Sequence, residues 1–230
     1  MEAKGLIESL VKHNITLSDK QLEQFKDYRE LLQEYNKVMN LTAIIETDEI
    51  YIKHFYDSII PATFIDLAGS LLDVGAGAGF PSIPLKILLP ELDVTILEPN
   101  NKRVKFLNVL CKKLDINVNI VEERAEDFIK QSNVRYDFVT ARAVANLPIL
   151  LELCVPFAKV NGYFIGLKGS KYEEELKESQ NALKELSCLV KEIYTIDLDD
   201  ALRSIILIEK TKKTKLKYPR NYGQIKKKPL

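Results

Sequence analysis

Cysteine is scarce in this chain, and its few copies do not form a recognisable site. The 230 residues include three cysteines, Cys111, Cys154 and Cys188. An odd number cannot all pair, and no CxxC spacing groups them with histidine as zinc ligands. We therefore expect free thiols in a reducing compartment, with no disulfide framework and no bound metal.

Long apolar runs are also missing. No stretch approaches the ~20 consecutive apolar residues that a membrane-spanning helix needs. The N-terminal segment MEAKGLIESLVKHN carries acidic side chains and lacks the apolar centre of a secretory signal. These absences predict a globular protein of the cytoplasm without membrane contact. Nothing in the sequence demands more than a monomer.

Net charge is absent overall, but the charges are unevenly distributed. The chain has 33 basic and 33 acidic residues, and nine of the basic residues lie between Lys210 and the C-terminus, where no acid occurs. Residues 1–209 therefore hold 24 basic against 33 acidic residues, a net charge of −9. A basic arm on an acidic body favours a polyanionic partner. The alternative is a solvated tail that frays without a partner.

Residues 1–60 have the spacing of helices. Ser18 and Gln21 form a capping-box pattern, and a stripe of large apolar side chains follows at helical spacing. A second helix is predicted over DEIYIKHFYDSII, with Thr47 as its N-cap. The stripe consists of Leu22, Phe25, Tyr28, Leu32 and Tyr35.

From residue 70 onward, short apolar runs alternate with amphipathic stretches. This alternation predicts an α/β fold, in which helices cover both faces of a parallel sheet. Asp199 and Asp200 leave room only for a tight turn, so strand seven should pair antiparallel with strand six. A seven-stranded, mostly parallel sheet with this antiparallel strand is the organisation of class I, Rossmann-like methyltransferases. The predicted strands are 71–74, 94–98, 118–122, 136–141, 162–168, 190–198 and 202–210, and the predicted helices are 101–115, 146–159 and 172–187.

The stretch LLDVGAGAGFPSIPL carries a glycine-rich loop after the first strand. It lacks the lysine and hydroxyl residue of a nucleotide P-loop. Gly75 and Gly77 match the start of a dinucleotide fingerprint, but Phe80 stands where that pattern requires glycine or alanine, and the third glycine is Gly79. The loop therefore favours a cofactor without a pyrophosphate.

Acidic residues follow the next two strands. Glu98, at the end of strand two, is suited to bind ribose hydroxyls, and Ala125 with Glu126, after strand three, is suited to bind an adenine edge. Each could instead be an ordinary surface acid, and Glu126 could simply favour the start of a helix. Their convergence at one edge of the sheet favours an S-adenosylmethionine site formed with Gly75, Gly77 and Gly79.

Seven segments together resemble the RsmG family of bacterial ribosomal RNA methyltransferases, also called glucose-inhibited division protein B. The segments are NLTAI (40–44), HFYDSI (54–59), LLDVGAGAGFPSIPLKI (71–87), KRVKFL (102–107), ARAVANL (141–147), LKG (167–169) and YPR (218–220). The resemblance implies methyl transfer from S-adenosylmethionine to N7 of one guanine in the decoding-region loop of 16S ribosomal RNA, in the small ribosomal subunit. It also implies cofactor contacts by Gly75, Phe80, Ala125, Glu126 and Arg142. The tail departs from the family pattern at Tyr222 and Ile225, where prolines are common.

Guanine N7 carries a lone pair and no proton, so this reaction needs alignment of the reacting atoms rather than a general base. We therefore expect no catalytic histidine or cysteine. Candidates for positioning the base are His54, Asp57, Arg142 and Lys168, together with Asn40 and Phe80. His54 and Asp57, three residues apart, could form a polar pair at the cleft, or a structural pair that ties the N-terminal helices to the domain.

The basic arm supplies the RNA-binding candidates, which are Lys215, Lys217, Arg220, Lys226, Lys227 and Lys228. We divide the chain into a helical extension (1–60), a methyltransferase domain (61–210) and the basic arm (211–230). Two other functions remain open at this point. One is a small-molecule methyltransferase of the same fold, and the other is an RNA-binding factor that has lost catalysis.

Overall fold

The computed structural model describes residues 3–230. Its N-terminal part is helical, as the sequence predicts. The capping box at Ser18 is formed, with reciprocal bonds to Gln21. Thr47 is the first helical residue rather than the N-cap, which is Glu46, so that prediction is wrong. The helices are α1 (Lys4–Val11), α2 (Asp19–Met39), α3 (Thr47–Glu49), a π-helical segment (Ile50–Tyr56) and α4 (Asp57–Phe64).

The π-helical segment joins α3 to α4 without a break. A π-helical stretch inserts extra residues into a helix and often occurs at functional sites. His54 lies within this segment, and Asp57 begins α4 directly after it. The two side chains therefore do not have the ordinary α-helical spacing that the sequence pattern assumed.

A seven-stranded sheet forms the centre of the molecule, with the order β3-β2-β1-β4-β5-β7-β6. All neighbouring pairs are parallel except those of β7, which runs antiparallel to both β5 and β6. The predicted tight turn is present, because Asp199 and Asp200 both have positive φ, at 50° and 59°. The strands are β1 (Ser70–Val74), β2 (Asp93–Leu97), β3 (Asn119–Val121), β4 (Tyr136–Ala141), β5 (Ala158–Lys168), β6 (Cys188–Leu198) and β7 (Ala201–Lys210).

The remaining helices cover the two faces of the sheet. The predicted helix 146–159 is too long, because the chain passes through a 3₁₀ turn at Val155–Phe157 and enters β5 at Ala158. The predicted helix 172–187 is divided at Ser179. The helices are α5 (Ser82–Leu88), α6 (Asn101–Leu114), α7 (Ala125–Gln131), α8 (Leu147–Cys154), α9 (Tyr172–Glu178), α10 (Gln180–Glu185) and α11 (Tyr222–Lys227).

Two hydrophobic cores lie on opposite faces of the sheet, because successive strand residues point to opposite sides. Leu71 of β1 belongs to one core and Leu72 to the other. The stripe of α2 enters the first core, where Phe25, Tyr28 and Leu32 are fully buried. The N-terminal helices therefore share a core with α5 and α6. Helix α2 packs on α5 and α6 along this face of the sheet.

The C-terminal tail packs against the second core instead of fraying. Tyr218 and Ile225 are buried in that core. Arg220 donates two side-chain hydrogen bonds, at 2.7 and 2.6 Å, to the fully buried carboxylate of Glu152 on α8. The segment 221–227, where the family pattern left the conformation open, contains α11, with Asn221 as its N-cap. Within residues 3–230, no helix is both long and apolar enough to cross a membrane.

Candidate functional site

Two adjoining cavities open at the carboxyl end of the parallel strands. The first, of about 470 Å³, is lined by the glycine-rich loop, Glu98 and the segment that follows β4. The second, of about 390 Å³, is lined by parts of the π-helical segment, the end of β5 and the start of β7. His54, Arg142 and Ala143 line both cavities. We call them the loop cavity and the second cavity.

The three loop glycines have positive φ, but their surroundings differ. A side chain at Gly77 (φ 61°) would project into open space, since no atom lies within 4 Å of an added Cβ. At Gly79 (φ 104°), the same atom would lie 2.7 Å from Ile83 and 2.8 Å from the Tyr28 hydroxyl. Gly77 therefore leaves room in the loop cavity, whereas Gly79 is required by packing. Gly79, predicted to bind the cofactor, is not among the residues that line the cavity.

Glu98 is almost completely buried beside this loop. Its carboxylate accepts backbone hydrogen bonds from Gly77 and Asn100, both at 2.9 Å. Arg103 lies 3.7 Å away and provides a compensating charge. A carboxylate has about four lone-pair positions, so these contacts fix the side chain and still leave acceptor positions toward the loop cavity.

Phe80 forms the centre of an aromatic stack at the junction of the two cavities. The His54 ring stacks on it with a centroid distance of 4.5 Å and an angle of 17°. Tyr28 stacks on it as well, at 5.4 Å, and the Arg142 guanidinium carbon lies 4.8 Å from the ring centroid. The peptide bond from Phe80 to Pro81 is cis. Four side chains from four different segments therefore meet at this point.

Arg142 is the most highly connected side chain of the junction. Its guanidinium donates to the Asp57 carboxylate at 3.0 Å, to the Ser58 hydroxyl at 3.1 Å and to Nδ1 of His54 at 3.1 Å. An arginine can only donate, so Nδ1 of His54 is an acceptor. The proton of the neutral ring is then on Nε2, which donates to the Thr42 hydroxyl at 2.7 Å.

Burial, reinforced by the charge of Arg142, lowers the pKa of His54 to about 3. The histidine is therefore neutral at physiological pH, and both of its nitrogens are engaged. The sequence suggested that His54 and Asp57 form a polar pair, but their side chains do not bond to each other. Each contacts Arg142 instead. His54, Asp57 and Arg142 therefore form one hydrogen-bonded group.

Asp57 also binds a second arginine. Nε of Arg203, on β7, donates to the other carboxylate oxygen at 2.8 Å, so one carboxylate holds two guanidinium groups. Lys168, at the end of β5, lines the second cavity and pairs with Glu175 at 2.7 Å. The positive charges around this cavity are thus anchored by carboxylates.

Other predicted residues lie around the site. Asn40 is the exposed C-cap of α2, and its neighbours Leu41 and Thr42 line the loop cavity in its place. Ala125 and Glu126 begin α7 after β3 and are buried, but they do not line the loop cavity. The basic tail contributes to neither cavity, since no lining residue of either lies beyond Ile205 within the described chain.

Sequence reasoning missed four charged residues near the site, one of which, Arg103, lines the loop cavity. Lys53 and Arg203 line the second cavity. Asp73, on β1, lies fully buried, and one of its oxygens accepts from the Ser82 amide at 3.2 Å while the other has no partner among the described residues. Burial raises the pKa of Asp73 to about 7. A signal was available for Asp73 alone, because a carboxylate inside an apolar strand is costly unless it has a role.

Metal ligands are not clustered in the described part of the chain. Within residues 3–230, no group of three or more histidine, cysteine or carboxylate side chains could hold an ion. The three cysteines are all free, and burial raises the pKa of Cys111 to about 11.

Known proteins share both the sequence and the fold. The protein named ribosomal RNA small subunit methyltransferase G from Staphylococcus carnosus is 50% identical over 241 residues, covering 100% of this chain and 99% of its own. The protein of the same name from Staphylococcus haemolyticus is 51% identical over 231 residues, covering 98% and 96%. Among solved structures, M. jannaschii TYW2 in complex with AdoMet gives a TM-score of 0.53 at 16% identity, covering 68% of this chain and 76% of that one.

The structural likeness, at such low identity, concerns the fold alone, and it confirms the predicted Rossmann-like methyltransferase sheet. The sequence comparison goes further. A family model described as rRNA small subunit methyltransferase G, GidB, matches residues 21–206. This match covers most of the chain and agrees with the seven motif segments. The chain belongs to the family of rRNA small subunit methyltransferase G.

Proposed function

We propose that this protein transfers a methyl group from S-adenosylmethionine to N7 of a guanine in the decoding-region loop of 16S ribosomal RNA. The observation that carries the proposal is the pair of adjoining cavities that meet at His54, Arg142 and Ala143. A methyl transferase needs two such sites, because donor and acceptor must be held in line. Family membership identifies ribosomal RNA as the acceptor.

The loop cavity suits S-adenosylmethionine. Its volume of about 470 Å³ is within the range of small-molecule sites. The space beside Gly77 would be filled by any side chain, which fits a cofactor in close contact with the backbone. Asp73, buried on β1 with one oxygen unpartnered and its pKa raised to about 7 by burial, would give up its proton more readily when a cationic ligand is bound nearby. The cofactor, when bound, supplies an electrophilic methyl group on a sulfonium.

The Gly75–Gly77 backbone would lie against the cofactor, and Glu98 would accept from its ribose hydroxyls. Ala125 and Glu126 do not line the loop cavity, and their proposed contact with the adenine depends on the family resemblance. Phe80 and Arg142 delimit the end that faces the acceptor. This assignment retains the predicted set except Gly79, which packing explains.

The second cavity receives the target guanine. It is lined by Lys53, Arg142, Lys168 and Arg203, and this positive set suits a nucleotide and its phosphate. The only acidic lining residue is Asp57, which already binds two of these arginines. The carboxylate also keeps the cavity from being too positive for the methylated base, which is itself cationic.

Positioning, rather than proton transfer, is the task of the junction. The nucleophile needs no base, and the neutral His54 is held by Thr42 and Arg142 so that it does not exchange protons with a substrate. Three hydrogen bonds and a ring face hold Arg142 in one orientation. Such preorganisation lowers the entropic cost of aligning N7, the methyl carbon and the sulfur.

We further propose that the basic tail contacts the RNA through Lys215, Lys217, Lys226, Lys227 and Lys228. Arg220 is left out of this set because Glu152 holds its guanidinium inside the protein. The three predicted regions, 1–60, 61–210 and 211–230, then correspond to a wall over the site, a catalytic domain and an RNA-binding arm. The protein works as a monomer in the cytoplasm.

The test is a methyl-transfer assay with labelled S-adenosylmethionine. Small ribosomal subunits and 16S ribosomal RNA from cells without this activity serve as acceptors, beside a panel of small molecules. We expect label in the RNA, and chemical cleavage at N7-methylguanine should locate one modified base. Label in small acceptors alone would replace this function by small-molecule methylation. Cofactor binding without any transfer to RNA would contradict it as well.

A further inference from the structure

A third cavity lies at the opposite end of the sheet, where the parallel strands begin. Its volume is about 850 Å³, which exceeds that of the loop cavity and of the second cavity. One wall is formed by the end of α7 and the starts of β4 and β5, and the other by the tail segment 213–219. We call it the basic cleft.

Its lining is positive on both walls. The domain wall contributes Lys130, Arg135 and Lys159, and the tail contributes Lys213 and two further lysines at alternate positions. Among residues 3–230, no aspartate or glutamate lines the cleft. Residues 1–209, which include the domain wall of this cleft, carry a net charge of −9, so such a concentration of positive charge requires an explanation.

Some of these charges are neutralised from outside the cleft, and others are not. Lys130 pairs with Asp127, Lys159 with Asp137, and Lys215 with Glu185, all between partly or fully exposed side chains. Lys213 and Lys217 form no ion pair within residues 3–230, although the pKa of Glu185, lowered mainly by its hydrogen bond with Lys215, is also lowered by the charge of Lys217. Lys217 lies instead over the Tyr218 ring, at 4.9 Å.

Lys210 forms the floor of the cleft. Its ammonium group is buried and donates to the backbone carbonyls of Val155, Pro156 and Ala158, at 3.1, 3.2 and 2.8 Å. These partners are neutral, so the charge is fixed in place without being cancelled. Burial, and secondarily the charge of Arg135, lowers the pKa of Lys210 to about 8. The nearby Thr214 hydroxyl is buried and has no partner among the described residues.

We propose that the basic cleft binds the phosphodiester backbone of the ribosomal RNA at a second place, away from methyl transfer. The inference rests on the proposed function and adds residues of the domain wall to the RNA contacts. Fixed cations, exposed lysines and a hydroxyl donor are the groups that bind phosphate oxygens. An extended, open cleft with cations on both walls suits a chain of phosphates better than a single small anion.

The distance between the two places follows from β4. Arg135 immediately precedes this strand and lines the cleft, whereas Arg142 immediately follows it and lines the loop cavity and the second cavity. At about 3.3 Å per residue, the two sites are roughly 20 Å apart. The RNA must therefore extend along the protein, and contacts in the cleft should be equal in the ground and transition states. Loss of the cleft should raise KM and leave kcat nearly unchanged.

The test compares two variants that lose the same charge. The cleft variant is Lys130→Gln, Lys213→Gln and Lys217→Gln. The control is Lys12→Gln, Lys112→Gln and Lys177→Gln, which are exposed lysines that line none of the cavities described above. Binding of 16S ribosomal RNA is measured between 50 and 200 mM salt, together with calorimetry of S-adenosylmethionine and the thermal midpoint of each variant.

The cleft variant should flatten the slope of log affinity against log salt by about two, since each lost phosphate contact removes about 0.7. Raising the salt from 50 to 200 mM should therefore weaken RNA binding by the cleft variant about 16-fold less than it weakens binding by the wild type. The control should retain the wild-type slope, and both variants should retain cofactor affinity and thermal midpoint.

An equal slope in the cleft variant and the wild type would overturn the inference, even if the wild type methylates RNA normally. Weaker binding to assembled subunits, with unchanged binding to 16S ribosomal RNA alone, would overturn it in favour of a protein contact. Failure of the wild type to methylate RNA would instead contradict the proposed function. The slope measurement would still decide on RNA binding by the cleft.

Discussion

Lysine and arginine side chains line cavities at both ends of the sheet, but they are paired with carboxylates much more fully at the carboxyl end than at the amino end. At the carboxyl end, Arg142 and Arg203 share the carboxylate of Asp57, and Lys168 binds Glu175. At the amino end, the lysines of the basic cleft are exposed and partly unpaired, and the buried Lys210 rests on neutral carbonyls. One end has its charges fixed and compensated, and the other has an excess.

Burial explains the difference between the carboxyl end and the exposed lysines of the cleft, whereas the buried Lys210 is stabilised by three backbone carbonyls. A charge removed from water is costly unless it is paired and hydrogen-bonded, so the arginines of the carboxyl end need Asp57. The hydrogen bonds to Asp57 also fix the positions of these two guanidinium groups, which suits a site that aligns reacting atoms. Exposed cations lack fixed positions but attract a polyanion over about 10 Å. Geometry and affinity can therefore be altered separately, at opposite ends of one domain.

The largest effect is expected at Gly77. Gly77→Val places a branched side chain in the open space of the loop cavity, at a backbone angle that favours glycine. Calorimetry should show no binding of S-adenosylmethionine, while circular dichroism shows a folded domain. The matched change Gly79→Ala meets Ile83 and Tyr28 instead, so it should lower the thermal midpoint. Normal cofactor affinity in a folded Gly77→Val protein would contradict the assignment of the loop cavity.

Removal of Asp57 tests whether the paired charges are required for stability. Asp57→Ala leaves Arg142 without its carboxylate and Arg203 exposed to repulsion, and breaking a buried pair costs about 3 kcal/mol of unfolding free energy. Urea denaturation measures this loss. At the other end, Asp127→Ala removes the exposed partner of Lys130, and the cost should be below ~1 kcal/mol. Equal costs would mean that the two ends do not differ as described.

The periodicity of apolar residues predicted the sheet correctly, because the formation of individual strands and helices depends largely on local sequence. Alternation of apolar runs and helices, and the two aspartates before β7, were sufficient for the seven strands and the antiparallel turn. The errors are at points where tertiary contacts decide. The predicted helix 146–159 is one exception, because Pro156 was a local signal against a helix interior, and the chain enters β5 beside β4 at Ala158. Thr47 lost the cap position to Glu46, where the backbone is extended.

The site was only partly predictable for a related reason. Gly75, Gly77 and Glu98 follow consecutive strands, so the rule for carboxyl ends brings them together. The partners of Arg142 could not be deduced, since Asp57 lies 85 residues away along the chain. Arg203 was missed because β7 inserts between β5 and β6, and its start therefore faces the end of β5. The spacing of residues along the chain does not predict such long-range contacts.

The buried Asp73 provides a smaller effect that depends on pH. Burial raises its pKa to about 7 from an ordinary value of 3.8. Between these values, the unfolded chain ionises while the folded protein keeps the proton, so the unfolding free energy falls as pH rises. The Asp73→Asn variant has no carboxyl group at this position and therefore lacks this pH dependence of the unfolding free energy. The stability of the variant minus that of the wild type should therefore grow by about 1 kcal/mol per pH unit from pH 4 to 7.

His54 acts in the opposite direction, since its pKa is lowered to about 3 and its contribution is lost as pH falls below about 6.5. It is present in both proteins, so it cancels in the difference. Urea denaturation at several pH values measures the two curves. Parallel curves for the variant and the wild type would show that Asp73 is ionised in the folded protein throughout this range.

The smallest change in affinity is expected from the exposed lysines of α11. Lys226, Lys227 and Lys228 point away from the buried Ile225, and they line neither the loop cavity nor the second cavity. Changing all three to glutamine should weaken RNA binding several-fold at moderate salt and reduce the salt slope by about two to three. Cofactor affinity should stay the same, and KM for RNA should rise more than kcat falls. A sharp fall of kcat at saturating RNA would instead mean that the tail reaches the active site.

Combining this variant with the cleft variant gives the sharpest form of the comparison. If α11 and the basic cleft contact separate phosphates of one RNA, their reductions in salt slope should add, as expected for independent sites. If the cleft variant acts only by loosening the tail, the second set of changes should add nothing, because the lysines of α11 would already have lost their contacts. Binding of 16S ribosomal RNA to the sextuple variant distinguishes these results. Additivity would assign the amino end of the sheet its own share of RNA affinity, with the paired charges of the carboxyl end left to align the base.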